Sequence, residues 1–442
     1  MKKTLPFIFA LLFFSCSEGE LAFNPLESSL SITSVQTFGG SRNDSGRSII
    51  TTSDGGFAIL GFTQSMDGDI LNKTDESFDF WLLKFDENAN LLWNKTYGGL
   101  GDDRGSDVIQ TQDGGFAILG YSDNASGNVT VNNGSRDFWL AKLNANGNLV
   151  WQQSFGFSGA DEGTRLIETS DNHLLISGVL DVTASGGLGN SGRNSSRHAG
   201  GDYWAIKVSN TGAMIWSRYY GGSFTDTPEG LAESATGEFI FAGGSDSNDV
   251  DITNNKGSYD FWVVKSDANG DMIWEKSFGG AEIDEVRGMT TSNDGNYIIV
   301  GDTRSSDQDV TQNNGGADVW MIGISEEGSL LWNRSYGGSS FDAARSVETT
   351  SDDGFIIAGS TRSSNGDVTT NKGLNDAWVV KTDRNGQLLW QHTIGGSEID
   401  FGYDAIELKN GSIIVVGESS SSDGDVPENK GFTDLLLIKL NG

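Results

Sequence analysis

From Leu30 onward the chain repeats one pattern of apolar and polar positions. In the first full copy it consists of an inner run (Gly46–Thr52), two nearly continuous apolar runs (Phe57–Thr63 and Asp79–Phe85), and a last run, Leu91–Tyr97, that alternates. Short runs bounded by turn residues predict strands. Asp54-Gly55-Gly56 between the first two is a strong hairpin signal. The unbroken F-A-I-L-G-F and F-W-L-L imply burial on both sheet faces. Alternation of Leu91, Trp93, Lys95 and Tyr97 predicts a half-exposed outer strand.

A tryptophan opens the last run at Trp93, Trp151, Trp216, Trp274, Trp332 and Trp390, and subtracting the numbers gives gaps of 58, 65, 58, 58 and 58 residues. A seventh copy lacking the Trp opens at Ser34. A fixed period of this length is the mark of a repeat architecture. Seven units of four antiparallel strands, with both sheet faces buried, predict an all-β, seven-bladed β-propeller over residues 30–442. A linear β-solenoid is the structural rival. Ring closure decides between them. The last copy stops at Lys439-Leu440-Asn441-Gly442, after its third strand, and the strand it lacks stands at Ser31–Phe38. A second tryptophan set, Trp81, Trp139, Trp204, Trp262, Trp320 and Trp378, marks the third strands. Its missing member, Leu436, would share a blade with Ser34, so the two sets are expected to pack together within a blade.

The unit G-G-x-x-x-D, D-G-G-F-x-I-x-G, D-x-W-x-x-K and G-x-L-x-W, spanning residues 34–442, resembles bacterial seven-bladed β-propeller repeats of secreted and surface proteins. It is similar also to tandem repeats of Bacteroidetes lipoproteins. The resemblance implies the fold and leaves activity open, because propellers host many unrelated functions.

Charge narrows the partners. Acidic residues outnumber basic ones 61 to 29, a formal charge of −32, which repels nucleic acid and excludes it as a partner. The single cysteine, Cys16, forbids an intramolecular disulfide. Lys2 and Lys3 followed by apolar Leu5–Phe14 read as a signal peptide over residues 1–15, too short to span a bilayer. Leu12-Phe13-Phe14-Ser15-Cys16 resembles a bacterial lipobox, which implies cleavage before Cys16 and its lipidation. Several acyl chains there would anchor the protein stably, with residues 16–29 as a tether. Ser17 is not the Asp of inner-membrane retention, and Glu18 and Glu20 resemble a surface-export signal. The expected location is the outer membrane or cell surface.

Candidate chemistry is sparse. Two aspartate sets recur: Asp44, Asp103, Asp161, Asp226, Asp284, Asp342 and Asp400 before the inner strands, and Asp79, Asp137, Asp202, Asp260, Asp318, Asp376 and Asp434 before the third strands. Strand alternation puts both sets on one face, as an acidic mouth or, since every blade repeats them, as turn-fixing acceptors. The tryptophans read as packing more readily than as sugar-stacking platforms. Lys84, Lys142, Lys207, Lys265, Lys381 and Lys439, with Gly323 as the exception, are expected to lie along apolar surface with the ammonium in solvent. No H-E-x-x-H, G-x-S-x-G or cysteine nucleophile occurs, and His173, His198 and His392 fall in different repeats.

Two departures remain. Only the third repeat carries a long loop, Asp181–Gly201, whose Arg193, Arg197 and His198 form a basic cluster and a candidate ligand contact. The loops before the third strands repeat [D/N]-x3-N-x-G-x2-D. They read Asn128-Asn132-Gly134-Asp137, Asp251-Asn255-Gly257-Asp260, Asp309-Asn313-Gly315-Asp318, Asp367-Asn371-Gly373-Asp376 and Asp425-Asn429-Gly431-Asp434. Hard oxygens on a bendable loop are what Ca²⁺ takes, so calcium is the candidate metal; Asn/Asp-stabilised turns explain the same residues without it. The function read from these features is a non-catalytic binding or scaffolding lipoprotein with a protein or glycan partner. A carbohydrate-active protein, whether lectin-like binder or polysaccharide-degrading enzyme, is the alternative.

Overall fold

The computed structural model describes residues 30–192 and 197–441. The expected signal peptide, Cys16 and the tether lie outside these residues, as does Arg193. Seven four-stranded antiparallel sheets are arranged as the blades of a propeller. In the first, Asp44–Thr51, Phe57–Thr63, Asp79–Phe85 and Leu91–Tyr97 follow one another from inside to outside. The last is composite: Asp400–Glu407, Ile413–Ser419 and Asp434–Asn441 are completed by Ser31–Phe38, which pairs antiparallel from Ser31↔Asn441 to Phe38↔Leu435. The ring therefore closes by backbone ladder, as the two ends of the sequence imply. Inner strands begin two residues earlier than the apolar pattern. The reason is a link between blades, in which the Asp44 N–H donates to the Thr433 carbonyl at 2.8 Å.

The second and third strands of each blade are buried almost throughout, and the core lies between blades. Each third-strand tryptophan receives a ring from the blade before it where that blade carries one. Phe80 meets Trp139 at 4.7 Å, Phe138 meets Trp204 at 5.1 Å, Tyr203 meets Trp262 at 4.7 Å and Phe261 meets Trp320 at 4.6 Å. The two tryptophan sets pack across the blade boundary, which corrects the expectation that they pair within a blade. Trp93 belongs to the cluster of Trp139, Trp151 to that of Trp204, and Trp332 to that of Trp378. Leu436 accordingly packs in the cluster of Trp390, while Phe38 from the closing strand covers the cluster of Trp81.

The repeated lysines are also placed otherwise than expected. They are buried, and the hairpin after the inner strand folds over the ammonium. Lys84 pairs with Asp54 at 3.0 Å, Lys142 with Asp113 at 2.8 Å, Lys207 with Asp171 at 2.8 Å and Lys381 with Asp352 at 2.9 Å. The Asp of Asp-Gly-Gly is thus both the turn acceptor and the counter-ion of a shielded cation. Partial burial opposes ionisation of Asp113, but hydrogen bonds from Lys142 and Thr111 hold its carboxyl down at about 2.

Closure predicts a cooperative loss. Deleting residues 30–38 bares the edge of Asp434–Asn441 and the apolar face that Phe38 covers. The truncated protein should melt as one unit, lower by roughly 5 °C or more in calorimetry; an unchanged melting temperature would contradict the closed ring.

Candidate functional site

Every inner strand slips register at one point, the third residue after its opening Asp. The slip lies between Gly46 and Ser48 in the first blade, and between Gly105 and Asp107, Gly163 and Arg165, Pro228 and Gly230, Val286 and Gly288, Ala344 and Ser346, and Gly402 and Asp404 in the others. A bulge re-aims the extra side chain. The seven bulge residues are Arg47, Ser106, Thr164, Glu229, Arg287, Arg345 and Tyr403, and all line one cavity of about 330 Å³. Because every blade contributes, that cavity is the mouth of the central channel. It opens on the face of the blade-to-blade crossovers.

On so acidic a chain the mouth is basic. Arg47 pairs with Glu418 at 3.2 Å and lies 3.8 Å over the ring of Tyr403, whose hydroxyl also donates to Glu418 at 2.9 Å. Arg104 lies 3.7 Å from Asp102 and stacks on Phe78 at 4.0 Å. Arg165 reaches to the Glu229 and Arg287 carbonyls at 2.7 and 3.1 Å, with the Glu229 carboxylate 3.8 Å away. Arg287 is held by Asp302 at 3.3 Å and by Glu285. Arg345 differs from these four. Among the described residues no carboxylate comes within ion-pair distance, its nearest ring contact is Phe401 at 6.0 Å, and its Nε is buried without a hydrogen-bond partner. Burial, then the neighbouring Arg287, pushes the Arg345 guanidinium below its ordinary range. A shielded cation with no counter-ion fits an anion from outside.

Below the mouth a second cavity of about 210 Å³ contains Asp107, Asp404 and Glu348. Two of these carboxylates tie blades together. Asp107 accepts from the Leu166 N–H at 2.8 Å and the Ser48 hydroxyl at 2.9 Å, in the blades on either side of it. Asp404 accepts from the Ile49 N–H at 2.9 Å, across the closing joint. Glu348 is exposed to this cavity, yet the enclosing walls and then Asp404 push its carboxyl up to about 8. The bonds of Asp107 and Asp404 are those of joints.

Neither recurrent aspartate set lines an open mouth, because both are buried at the blade junctions. Six inner-strand carboxylates accept from the second glycine of Gly-Gly, at 2.8 Å for Asp44 and 2.7 Å for Asp226, and Asp161 accepts from the Phe157 N–H at 2.7 Å. Five of the third-strand carboxylates (Asp137, Asp260, Asp318, Asp376 and Asp434) accept through Oδ2 from the N–H four residues back, at 2.9 Å for Asp376 and 2.8 Å for Asp434. Oδ2 of Asp202 meets the His198 ring, and that of Asp79 faces Lys73 at 3.7 Å. In all seven third-strand carboxylates Oδ1 is buried without a partner. It points at the inner-strand Asp of the next blade across a bare glycine; a Cβ on Gly221 would lie 2.6 Å from Asp202 Oδ1 and 2.7 Å from Asp226 Oδ2. Burial foremost pushes Asp79, Asp103, Asp226 and Asp260 up to about 7, and Asp202, Asp318, Asp376 and Asp434 up to about 6.

The loops read as calcium ligands spend their oxygens on the backbone. Asn255 accepts from Gly257 N at 3.0 Å and its amide donates to Ser245 and Ser247; Asn313, Asn371 and Asn429 accept in the same way at 3.0, 2.9 and 2.9 Å. Asp251, Asp309, Asp367 and Asp425 accept from the first glycine of Gly-Gly at 3.3, 3.1, 3.1 and 3.2 Å. Among the described residues no three His, Cys, Asp or Glu are grouped to hold a metal ion. The position four residues before the third-strand Asp instead supplies cations from within: Lys372 reaches Asp425 at 2.7 Å and Lys430 reaches Asp69 at 3.3 Å, each in the next blade. His198 occupies that position in the third blade, 2.6 Å from Asp202, 3.9 Å from Asp251 and packed on Tyr219. In the described part of the long loop there is one helical turn at Val182–Ser185, and the Gly189 carbonyl accepts from Trp204 Nε1 at 2.9 Å. Arg197 stands exposed beside His198, and the structure does not bring this pair to the channel mouth.

Comparison with solved structures finds distant likenesses of shape. The Neurospora crassa Pan2 WD40 domain gives a TM-score of 0.47 at 12% identity, covering 91% of this chain and 95% of that one. Sqt1 from Chaetomium thermophilum gives 0.46 at 11%, covering 92% and 99%. The PQQ-bound aldose sugar dehydrogenase of Streptomyces coelicolor gives 0.39 at 10%, covering 93% and 98%. No protein-family description and no curated protein matches the chain.

The junction pairs predict a pH dependence. The junction carboxyls pushed up to about 6 or 7 lie above the ordinary value of 3.8, so between about pH 4 and 7 the folded protein holds more protons at them than the unfolded chain. Their contribution is present near pH 4–5 and is lost as pH rises through about 6–7. The melting temperature should therefore fall from pH 5 to pH 8. Asp260 faces Asp284, Asp309 and Lys256. Asp260→Asn, which offers an amide N–H where the proton sits, should raise the pH 8 value by roughly 1–3 °C and flatten the slope.

Proposed function

We propose that the protein is a non-catalytic binding propeller of the Bacteroidetes-type surface lipoprotein class, which takes an anionic ligand at the channel mouth. The observation that carries this reading is Arg345, which among the described residues has no carboxylate within ion-pair distance, in a cavity of about 330 Å³ shared with Arg47 and Arg287. That volume is in the range of small-molecule pockets, about 300–1,000 Å³. The lipid on Cys16 would hold the ring at the outer membrane or cell surface, and Arg193 and exposed Arg197 would offer a separate contact for a protein or glycan partner.

Two measurements test it. In titration calorimetry at low salt, uronate-bearing oligosaccharides should bind where neutral ones do not, with no product released, and Arg345→Met should weaken binding about tenfold or more. Because Arg345 is an unpaired shielded charge, the same variant should keep or raise the melting temperature. Turnover abolished by Glu348→Gln would overturn the non-catalytic reading in favour of a polysaccharide-degrading enzyme. For the anchor, Cys16→Ser should move the expressed protein from the membrane fraction to the soluble one; unchanged fractionation would remove the lipid from the proposal.

A further inference from the structure

One junction of the ring, between the second and third blades, departs from the repeat at several places at once. Gly156-Phe157 stands where every other crossover reads Gly-Gly. Elsewhere the loop before the third strand presses on the second glycine. A Cβ on Gly40 would lie 2.4 Å from Asp67 Oδ1, one on Gly280 2.4 Å from Asp307 Oδ1, and one on Gly396 2.3 Å from Asp423 Oδ1. In the third blade that loop is the long one, and the Phe157 ring lies 5.8 Å from that of Trp204. Asn133 holds the place of Lys256, Lys372 and Lys430, which each reach an Asp of the next blade. The long loop offers no such partner, since no acidic residue occurs between Asp181 and Asp202. Ser217 replaces the side chain that takes the indole N–H in four siblings, Asn94, Gln152, Glu275 and Gln391; here the Gly189 carbonyl takes it instead.

These departures leave a cavity of about 420 Å³. Its loop-side wall is pinned to the outer strand. The Ser191 N–H donates to the Ser217 carbonyl at 3.0 Å, its hydroxyl accepts from the Ser217 N–H at 3.1 Å, and the Tyr219 hydroxyl donates to the Gly187 carbonyl at 3.1 Å. Phe157, Leu188 and Met214 supply apolar surface, Asn133 and Asn190 amides, and Ser154 a hydroxyl. No lining residue is charged, on a chain of formal charge −32. Asn190 Oδ1 and Ser154 Oγ are buried without a hydrogen-bond partner. We propose that this cavity binds a neutral hexopyranose, with the C–H face of the ring against Phe157 and Leu188 and a hydroxyl donating to Asn190 Oδ1. Uncharged walls select a neutral ligand, because an ion would lose hydration there without gaining a counter-charge. A sugar hydroxyl both donates and accepts, as the amide does, so one contact satisfies both. Apolar walls with a few placed polar groups are the usual make-up of a small-ligand pocket. A peptide adding as a strand is disfavoured, since Ser191 already occupies the Ser217 edge. The site shares no residue with the arginine mouth and does not rest on it.

The test titrates the purified protein with the methyl glycosides of glucose, galactose and mannose, by calorimetry and thermal shift. Cyclohexanol and N-acetyl-Ala-Ser-Ala-amide serve as controls. At least one glycoside should bind saturably at one site, insensitive to added salt, with a melting temperature that rises as ligand exceeds Kd. Asn190→Ala should weaken that binding about tenfold. The unliganded melting temperature of this variant should stay unchanged, since Asn190 Oδ1 has no partner to lose. Leu188→Ala, at an exposed side chain, should weaken binding several-fold without affecting the fold. No glycoside binding, full binding by either variant, or equal binding of cyclohexanol would overturn the proposal. Tighter binding of the blocked peptide would overturn it in favour of a polypeptide partner. Arg345→Met should leave the glycosides bound as before while uronate binding falls, so either site can fail without the other.

Discussion

No blade of this protein can bury its own two faces. Each sheet needs a neighbour on either side, and the seven interblade cores between Phe80–Trp139 and Leu435–Trp81 form one closed circuit. That constraint explains why polar chemistry concentrates at the same joints. The Thr433–Asp44 backbone bond, the facing Asp pairs, the Lys372–Asp425 bridge and the Asp107 and Asp404 carboxylates all join one blade to the next. Stability is thus a property of the ring, and a blade removed from it would bare both faces of its sheet.

Rigid joints free the axis to vary. The bulge in each inner strand is constant in place while its residue changes among Arg, Ser, Thr, Glu and Tyr. The backbone ladder is satisfied by the flanking residues, so the bulged side chain carries little structural duty. Four arginines at or beside the mouth have a carboxylate within ion-pair distance, and among the described residues Arg345 has none. The ring of arginines, with its matching carboxylates, sits inside a strongly negative shell, which disfavours the approach of a large acidic surface.

Strand positions, blade number and closure were legible in the sequence because apolar runs, Asp-Gly turns and a fixed period all report local backbone demands. The mouth was harder to see. Arg47, Arg287 and Arg345 stand in one column of the repeat, but Arg165 and Arg104 come from neighbouring columns, and only the bulge converges them. The signal that could have found them is the variable column between glycine-rich, constant flanks. The more conspicuous basic cluster, on the long loop, lies elsewhere, and its His198 stands at a blade junction in a lysine's place. The lysines misled for a related reason. Nothing in D-x-W-x-x-K says that a hairpin two strands away closes over the ammonium, although Asp-Gly-Gly was in plain view as a turn.

The closing strand also sets an orientation. Ser31 pairs with Asn441, at the end of the third strand remote from Asp434 and from the crossovers, so the chain enters the ring at the hairpin side of its outer rim. The strand's first residue thus marks the hairpin side, while the arginine mouth opens on the other face. One terminal strand thereby distinguishes the two rims of a disc whose near-sevenfold repeat alone would leave each blade equivalent.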